Sequence, residues 1–169
     1  MFLAIITMFA LASPAGAIDT GFQYEINPRH NFGKCLDVRG SSTADNAHVI
    51  QYDCHGGLNQ RFTFVRVFGS FYEIRPVHSS FAGKCLDIAD AGTANHAILQ
   101  QFDCNGRGNQ LFQLLDDPGD FAGGSTRIRA VHSTKCLDIP DASNANSVIV
   151  AQFDCHGGSN QLFDLLAFA

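Results

Sequence analysis

The chain of 169 residues predicts an all-β fold of three like units set around a pseudo-threefold axis. Three observations carry this. The stretch 34–64, KCLDVRGSSTADNAHVIQYDCHGGLNQRFTF, returns without a gap at 84–114 as KCLDIADAGTANHAILQQFDCNGRGNQLFQL and at 135–165 as KCLDIPDASNANSVIVAQFDCHGGSNQLFDL. Twelve positions are identical in all three: Lys, Cys, Leu, Asp, Ala, Gln, Asp, Cys, Gly, Asn, Gln and Phe. A fixed repeat, here 50 and then 51 residues, marks one supersecondary unit that cannot bury its apolar face alone. Short apolar runs separated by turns, with 16 Gly, favour strands over helices. Six Cys fall two to a copy, each pair 19 positions apart.

The elements follow in order. Residues 1–17, MFLAIITMFALASPAGA, carry an apolar run from Phe2 to Leu11 and a small-x-small site at Ala15-Gly16-Ala17. They read as a secretory signal removed before Ile18, although no Lys or Arg precedes the run. The run is too short for a membrane span of about 20 residues, and no later segment qualifies. Residues 18–169 are expected to form one domain able to bury a core, with repeats at about 22–69, 70–119 and 120–169.

Each repeat opens with a β-prone run ending near a His: Phe22 to His30, Phe71 to His78 and Thr126 to His132, with Ile26, Ile74 and Ile128 in matching places. Lys-Cys-Leu-Asp-Val/Ile follows as a short strand. By the period of two, its Leu (Leu36, Leu86, Leu137) faces the core and the neighbouring Asp faces outward. A polar loop, such as Ser41 to Asn46 or Asp141 to Asn146, leads to a third run: His48 to Asp53, Ala97 to Asp103 and Ser147 to Asp154. A Cys-His/Asn-Gly turn closes it. The fourth run holds Gln60-Arg61-Phe62, Gln110-Leu111-Phe112 and Gln161-Leu162-Phe163. Four strands per repeat make twelve, and closure of three units lets the Phe, Leu and Ile positions meet centrally.

Six Cys allow 15 pairings, of which the within-repeat set, Cys35–Cys54, Cys85–Cys104 and Cys136–Cys155, is the simplest. Each bond would close a loop worth about 3 kcal/mol in the chain-entropy model. Zinc is disfavoured by the lack of C-x-x-C and of paired His at ligand spacing, and no cofactor is expected. Disulfides and an export signal agree on an extracellular destination.

With these residues in view, the chain resembles the ricin B-chain type β-trefoil lectin domain. The resemblance rests on three copies of a Cys-Leu-Asp strand and a Cys-x-Gly…Asn-Gln-x-aromatic close, and it covers essentially all of 18–169. One departure is that the family's Gln-x-Trp is Gln-x-Phe in every repeat, which implies a smaller ring at a core position. The resemblance implies a β-trefoil and a shallow sugar site per repeat, between the Cys-Leu-Asp strand and the following hairpin. Carried over, the first site is Asp37, Tyr52, His55, Asn59 and Gln60; the second is Asp87, Phe102, Asn105, Asn109 and Gln110; the third is Asp138, Phe153, His156, Asn160 and Gln161. The Gln residues are expected to hold the Asp in place.

Those residue types suit a pyranose. A carboxylate accepts from two hydroxyls through charge-assisted bonds. An amide both donates and accepts, and a flat ring covers the C–H face. Tyr52 keeps a polar tip that Phe102 and Phe153 lack, and Pro140 lies two residues after Asp138, so the sites are expected to rank first, third, second. Asp53, Asp103 and Asp154 read as turn-capping groups, Lys34, Lys84 and Lys135 as edge charges, and His30, His78 and His132 as solvated loop residues.

A net charge of −5 without a basic run argues against nucleic acid. No G-x-S-x-G or H-E-x-x-H motif is present, and three Asp in separate lobes cannot flank one glycosidic bond. The expected function is therefore a secreted, non-catalytic lectin whose partners are polysaccharide or glycoprotein glycans. The alternatives are a trefoil-type protease inhibitor and a binding subunit of a separate toxin or glycosidase.

Overall fold

The computed structural model describes residues 18–116 and 124–168, so the signal expected at 1–17 lies outside them. Thirteen strands occupy the described residues: β1 Gln23–Pro28, β2 Lys34–Val38, β3 Ala47–Asp53, β4 Phe62–Phe68, β5 Phe71–Pro76, β6 Lys84–Ile88, β7 Leu99–Asp103, β8 Phe112–Asp116, β9 Ser125–Ala130, β10 Cys136–Asp138, β11 Val148–Ile149, β12 Ala151–Phe153 and β13 Phe163–Phe168. The expected twelve runs are all present. The thirteenth strand arises because the third run of the last repeat is interrupted at Val150. That residue bonds both neighbours at once, its N–H to the Val49 carbonyl (3.0 Å) and its carbonyl to the Leu99 N–H (2.8 Å).

Six strands close into a barrel. β1 pairs with β4, β4 with β5, β5 with β8, β8 with β9, β9 with β13 and β13 with β1, every pair antiparallel. Closure removes the unpaired edges that an open sheet would expose. The other strands form three hairpins, β2–β3, β6–β7 and β10–β12, joined to one another through β3–β7, β3–β11 and the bridge Ile98–Ala151. Each hairpin is the Cys-Leu-Asp strand with its following run. The fold is the all-β trefoil that the repeats predict.

The core is threefold in composition. Phe62, Phe112 and Phe163 of the Gln-x-Phe triplets are fully buried, as are Ile26, Ile74 and Ile128, and Leu36, Leu86 and Leu137. Full burial of one such Phe or Leu contributes on the order of 1.5–3 kcal/mol. Around them lie Val38, Ile88 and Ile139, and Val49, Leu99 and Val150. Each disulfide ties the Cys-Leu-Asp strand to the residue just past the third run, with Cα atoms 5.1, 5.0 and 5.1 Å apart for Cys35–Cys54, Cys85–Cys104 and Cys136–Cys155.

Several identical residues bind one repeat to the next. The Gln51 amide donates to the Ser143 and Ala145 carbonyls of the third repeat (2.8 and 2.9 Å). Gln101 does the same to Ser42 and Ala44 of the first, and Gln152 to Gly92 and Ala94 of the second. The ring is thus closed by side chains as well as by strands. Lys34 and Lys84 begin β2 and β6, strands that pair on one side only, and both also reach across the ring, Lys34 to Asn146 and Lys84 to Asp45 (2.7 and 2.5 Å). Lys34 and Lys84 are buried, and they and Lys135 pair with the Asp beside the second Cys: Asp53, Asp103 and Asp154. Each Asp is also met from the neighbouring repeat by Asn146, Asp45 or Asn95, which accepts its backbone N–H (2.9, 2.9 and 3.0 Å). His30, His78 and His132 are only partly exposed. Their Nε2 atoms donate to the Ser143, Ser42 and Gly92 carbonyls of the adjoining repeat (3.0, 2.8 and 2.9 Å).

Candidate functional site

The Asp of each Cys-Leu-Asp strand points away from the core, as alternation requires, yet it does not reach open solvent. Asp37, Asp87 and Asp138 are 3 %, 3 % and 5 % exposed. Each lies under a one-turn 3-10 segment, Leu58–Gln60, Gly108–Gln110 or Ser159–Gln161, which brings the Asn-Gln pair over the carboxylate. Asn59 Nδ2 and Gln60 Nε2 donate to Asp37 Oδ2 at 2.8 and 3.0 Å. Asn109 and Gln110 donate to Asp87 Oδ2 at 2.8 and 2.9 Å, and Asn160 and Gln161 to Asp138 Oδ2 at 3.0 and 2.9 Å.

The Gln residues are fully buried and work in both directions. Gln60 Nε2 also donates to the Asp53 carbonyl, and Gln60 Oε1 accepts the His55 N–H (2.9 and 2.8 Å). Gln110 makes the same pair of bonds to Asp103 and Asn105, and Gln161 to Asp154 and His156. These residues stitch the Cys-x-Gly turn to the carboxylate and present no surface of their own. A buried donor left without its partner costs about 1–3 kcal/mol, so the Asp-Asn-Gln set stands or falls together.

The turn after the second Cys separates the sites. In the first, Gly57 N–H donates to His55 Nδ1 (3.2 Å), so the ring hydrogen sits on Nε2 and is donated to Asp37 Oδ2 (3.1 Å). The third repeats this with Gly158, His156 and Asp138 (3.1 and 3.3 Å). The glycine leaves room for the ring in this position. A Cβ on Gly57 would lie 2.6 Å from His55 Cε1, and one on Gly158 would lie 2.8 Å from His156 Cε1. The second repeat has Arg107 there, and its turn holds the shorter Asn105, whose Oδ1 accepts the Arg107 N–H (3.0 Å). Asn105 makes no bond to Asp87. Gln100 takes the vacated role and donates to Asp87 Oδ1 (3.2 Å). Asp37 and Asp138 keep Oδ1 without a protein hydrogen bond among the described residues. Gln100 was not foreseen, although the repeat alignment marks it: Ile50 and Ala151 hold the same place.

Burial raises the Asp37 carboxyl above its ordinary 3.8, against the opposing bonds from Gln60, His55 and Asn59. Burial does the same for Asp87, opposed by Gln110, Gln100 and Asn109. The exposed Asp53 and Asp154 move the other way, held down by Lys34 with Asn146 and by Lys135 with Asn95.

The structure brings the expected residues together at the second site. Asp87, Phe102, Asn105 and Asn109 line one cavity of about 280 Å³, with Gln100 and Arg107. Gln110 lies behind this wall. At the first site the exposed Tyr52 ring is 6.3 Å from the His55 ring, edge to face, with His55 bonded to Asp37. At the third, Phe153 and His156 are 6.0 Å apart. Glu25 and Glu73 each lie near two Cys sulfurs, but those sulfurs are joined in disulfides and offer no thiolate to a metal.

The ricin-type beta-trefoil lectin domain-like family matches the chain over residues 11–102, 71–152 and 108–168, and the chain belongs to that family. A designed threefold-symmetric protein, ThreeFoil, is 37 % identical and superposes with a TM-score of 0.80, covering 86 % of this chain and 99 % of its own. An exo-beta-1,3-galactanase from Clostridium thermocellum is 29 % identical with a TM-score of 0.80; the match covers 90 % of this chain and 31 % of the galactanase chain. The ricin B-like lectin of Macrolepiota procera, solved with lactose, shares the fold at a TM-score of 0.72 and 20 % identity, over 88 % and 97 % of the two chains. No curated protein matches in sequence. Among the described residues no helix is long and apolar enough to cross a membrane.

Proposed function

We propose that the protein is a secreted, non-catalytic lectin with up to three shallow sugar sites, at Asp37/Tyr52/His55/Asn59, Asp87/Phe102/Asn105/Asn109 and Asp138/Phe153/His156/Asn160. The single observation that carries this is the state of the carboxylates at the first and third sites. Asp37 and Asp138 engage one oxygen with three protein donors and keep the other without one, beside an aromatic ring. A rigidly held acceptor next to a ring is what a pyranose needs: hydroxyls on one edge, C–H groups on one face. Two such places on one disulfide-bonded body, with the second site beside them, favour a multivalent glycan, where avidity adds about 10²–10⁴ to single-site affinity if geometry permits. The relatives fit this reading, since the Macrolepiota protein was solved with lactose and a galactanase carries a similar domain.

The test is an array of galactose-, mannose- and xylose-terminated oligosaccharides, probed with the oxidised parent and with Tyr52→Ala/Phe102→Ala/Phe153→Ala. These rings are exposed or half-exposed, so their removal spares the core. The parent is expected to bind, and the triple variant to lose about tenfold or more. A folded parent that binds none of the array removes the lectin reading.

A further inference from the structure

The second cavity is built from two repeats. Asn46 of the first repeat lines the second cavity beside Asp87, Phe102 and Asn109. It is fixed there by its backbone N–H, which donates to the carbonyl of Gln101, the residue before Phe102 (3.0 Å). The same bond runs from His96 to Gln152, before Phe153 (2.8 Å), and from Ser147 to Gln51, before Tyr52 (2.9 Å). All three residues adopt a left-handed backbone, with φ of 63°, 68° and 65°. Such a conformation is uncommon outside glycine, less so for Asn and His than for Ser. The bond across the seam therefore sets the backbone, and the exposed side chain is left to differ.

At the third site the consequence is visible. The His96 ring lies 5.1 Å from the Phe153 ring at 66°, and His156 stands 6.0 Å away at 71°. The Phe153 ring thus has an imidazole from its own repeat and another from the repeat before it. We propose that the residue at each seam, Ser147, Asn46 or His96, sets the sugar preference of the adjoining cleft by contacting the ligand from the neighbouring repeat. This rests on the lectin reading above. Ser147 offers the first cleft one hydroxyl, and Asn46 offers the second an amide that donates and accepts. His96 gives the third cleft a two-walled aromatic corner, which favours glycans presenting C–H surface on two sides of the bound unit.

Exchange of the seam residues tests this without new backbone demands, because His and Asn each already occupy the position. Parent, His96→Asn and Asn46→His are titrated with galactose-, mannose- and xylose-containing disaccharides. The backbone amides of Phe102 and Phe153 report the second and third clefts separately by NMR. His96→Asn is expected to weaken the third cleft about fivefold, and Asn46→His to tighten the second by a similar factor and shift its order of preference toward that of the third. If the parent binds and both exchanges leave affinities and preferences unchanged, the seam has no such role. If the folded parent binds no disaccharide, the lectin reading itself fails and the seam proposal with it.

Discussion

The first and second clefts share a backbone and differ at the carboxylate. In the first, His55 folds back over Gly57 to reach Asp37 Oδ2, and Oδ1 stays open. In the second, the shorter Asn105 stands in place of the histidine and closes its own turn onto Arg107, and Gln100 arrives from the adjacent strand to occupy Asp87 Oδ1. The third cleft follows the first through His156 and Gly158. One scaffold therefore carries two ways of holding an acid: one leaves an acceptor free, and the other closes it with a third amide. The residue after the second Cys and the one two places on change together, His with Gly in the first and third repeats and Asn with Arg in the second, and the glycine leaves room for the imidazole to lie back on the turn.

The largest effect expected is on stability. Asp37→Ala strips two buried amides and a half-exposed imidazole of their acceptor, whereas Asp87→Ala strips three buried amides. Losses of about 2 and about 3 kcal/mol are expected, read as shifts in the denaturant midpoint at constant slope. Equal losses would mean that the Gln100 bond contributes nothing. The same argument makes Asp→Ala a poor probe of binding, since it unsettles the turn that forms the cleft.

A cleaner break of the comparison exchanges the strand residue. Ile50→Gln should close the first carboxylate and weaken that cleft about tenfold, and Gln100→Ile should open the second and strengthen it several-fold. Site-resolved glycan titration checks both. No change in either cleft would show that Oδ1 takes no part in sugar binding.

The smallest effect is in pH dependence. Because burial raises the Asp37 and Asp87 pKa values, the folded protein takes up these protons more readily than the unfolded chain. Their contribution to stability is thus fully present below the ordinary 3.8 and is lost as pH rises through the folded values. Asp53 and Asp154 have the opposite sign. Their contribution is present above 3.8 and lost as pH falls through their depressed values. Glycan binding at the first two clefts should weaken with falling pH before an ordinary Asp would titrate, since the ionised carboxylate is the stronger acceptor. Parallel glycan titrations and thermal unfolding from about pH 6 to 3 separate the two trends. Binding that holds until the fold itself is lost would contradict this order.

What the sequence determined by itself is what repetition and period dictate. A 31-residue stretch used three times required a closed threefold body, with Leu36, Ile26, Phe62 and their equivalents meeting inside. The same spacing paired the six Cys within their repeats. The recurrence of the Asp, ring and Asn-Gln residues at one register was also legible, while their grouping into a sugar site came from the resemblance to the ricin-type family. Only the tertiary structure decided what lies between repeats. Lys34 with Asn146, Gln51 with Ser143 and His30 with the same Ser143 carbonyl belong to separate units of the sequence. They are in fact contacts across seams, which a repeat compared with itself cannot reveal. Gln100 and His96 were hidden for a related reason. Their positions vary among the copies, and each acts through a partner brought near by pairing between strands or by closure of the ring.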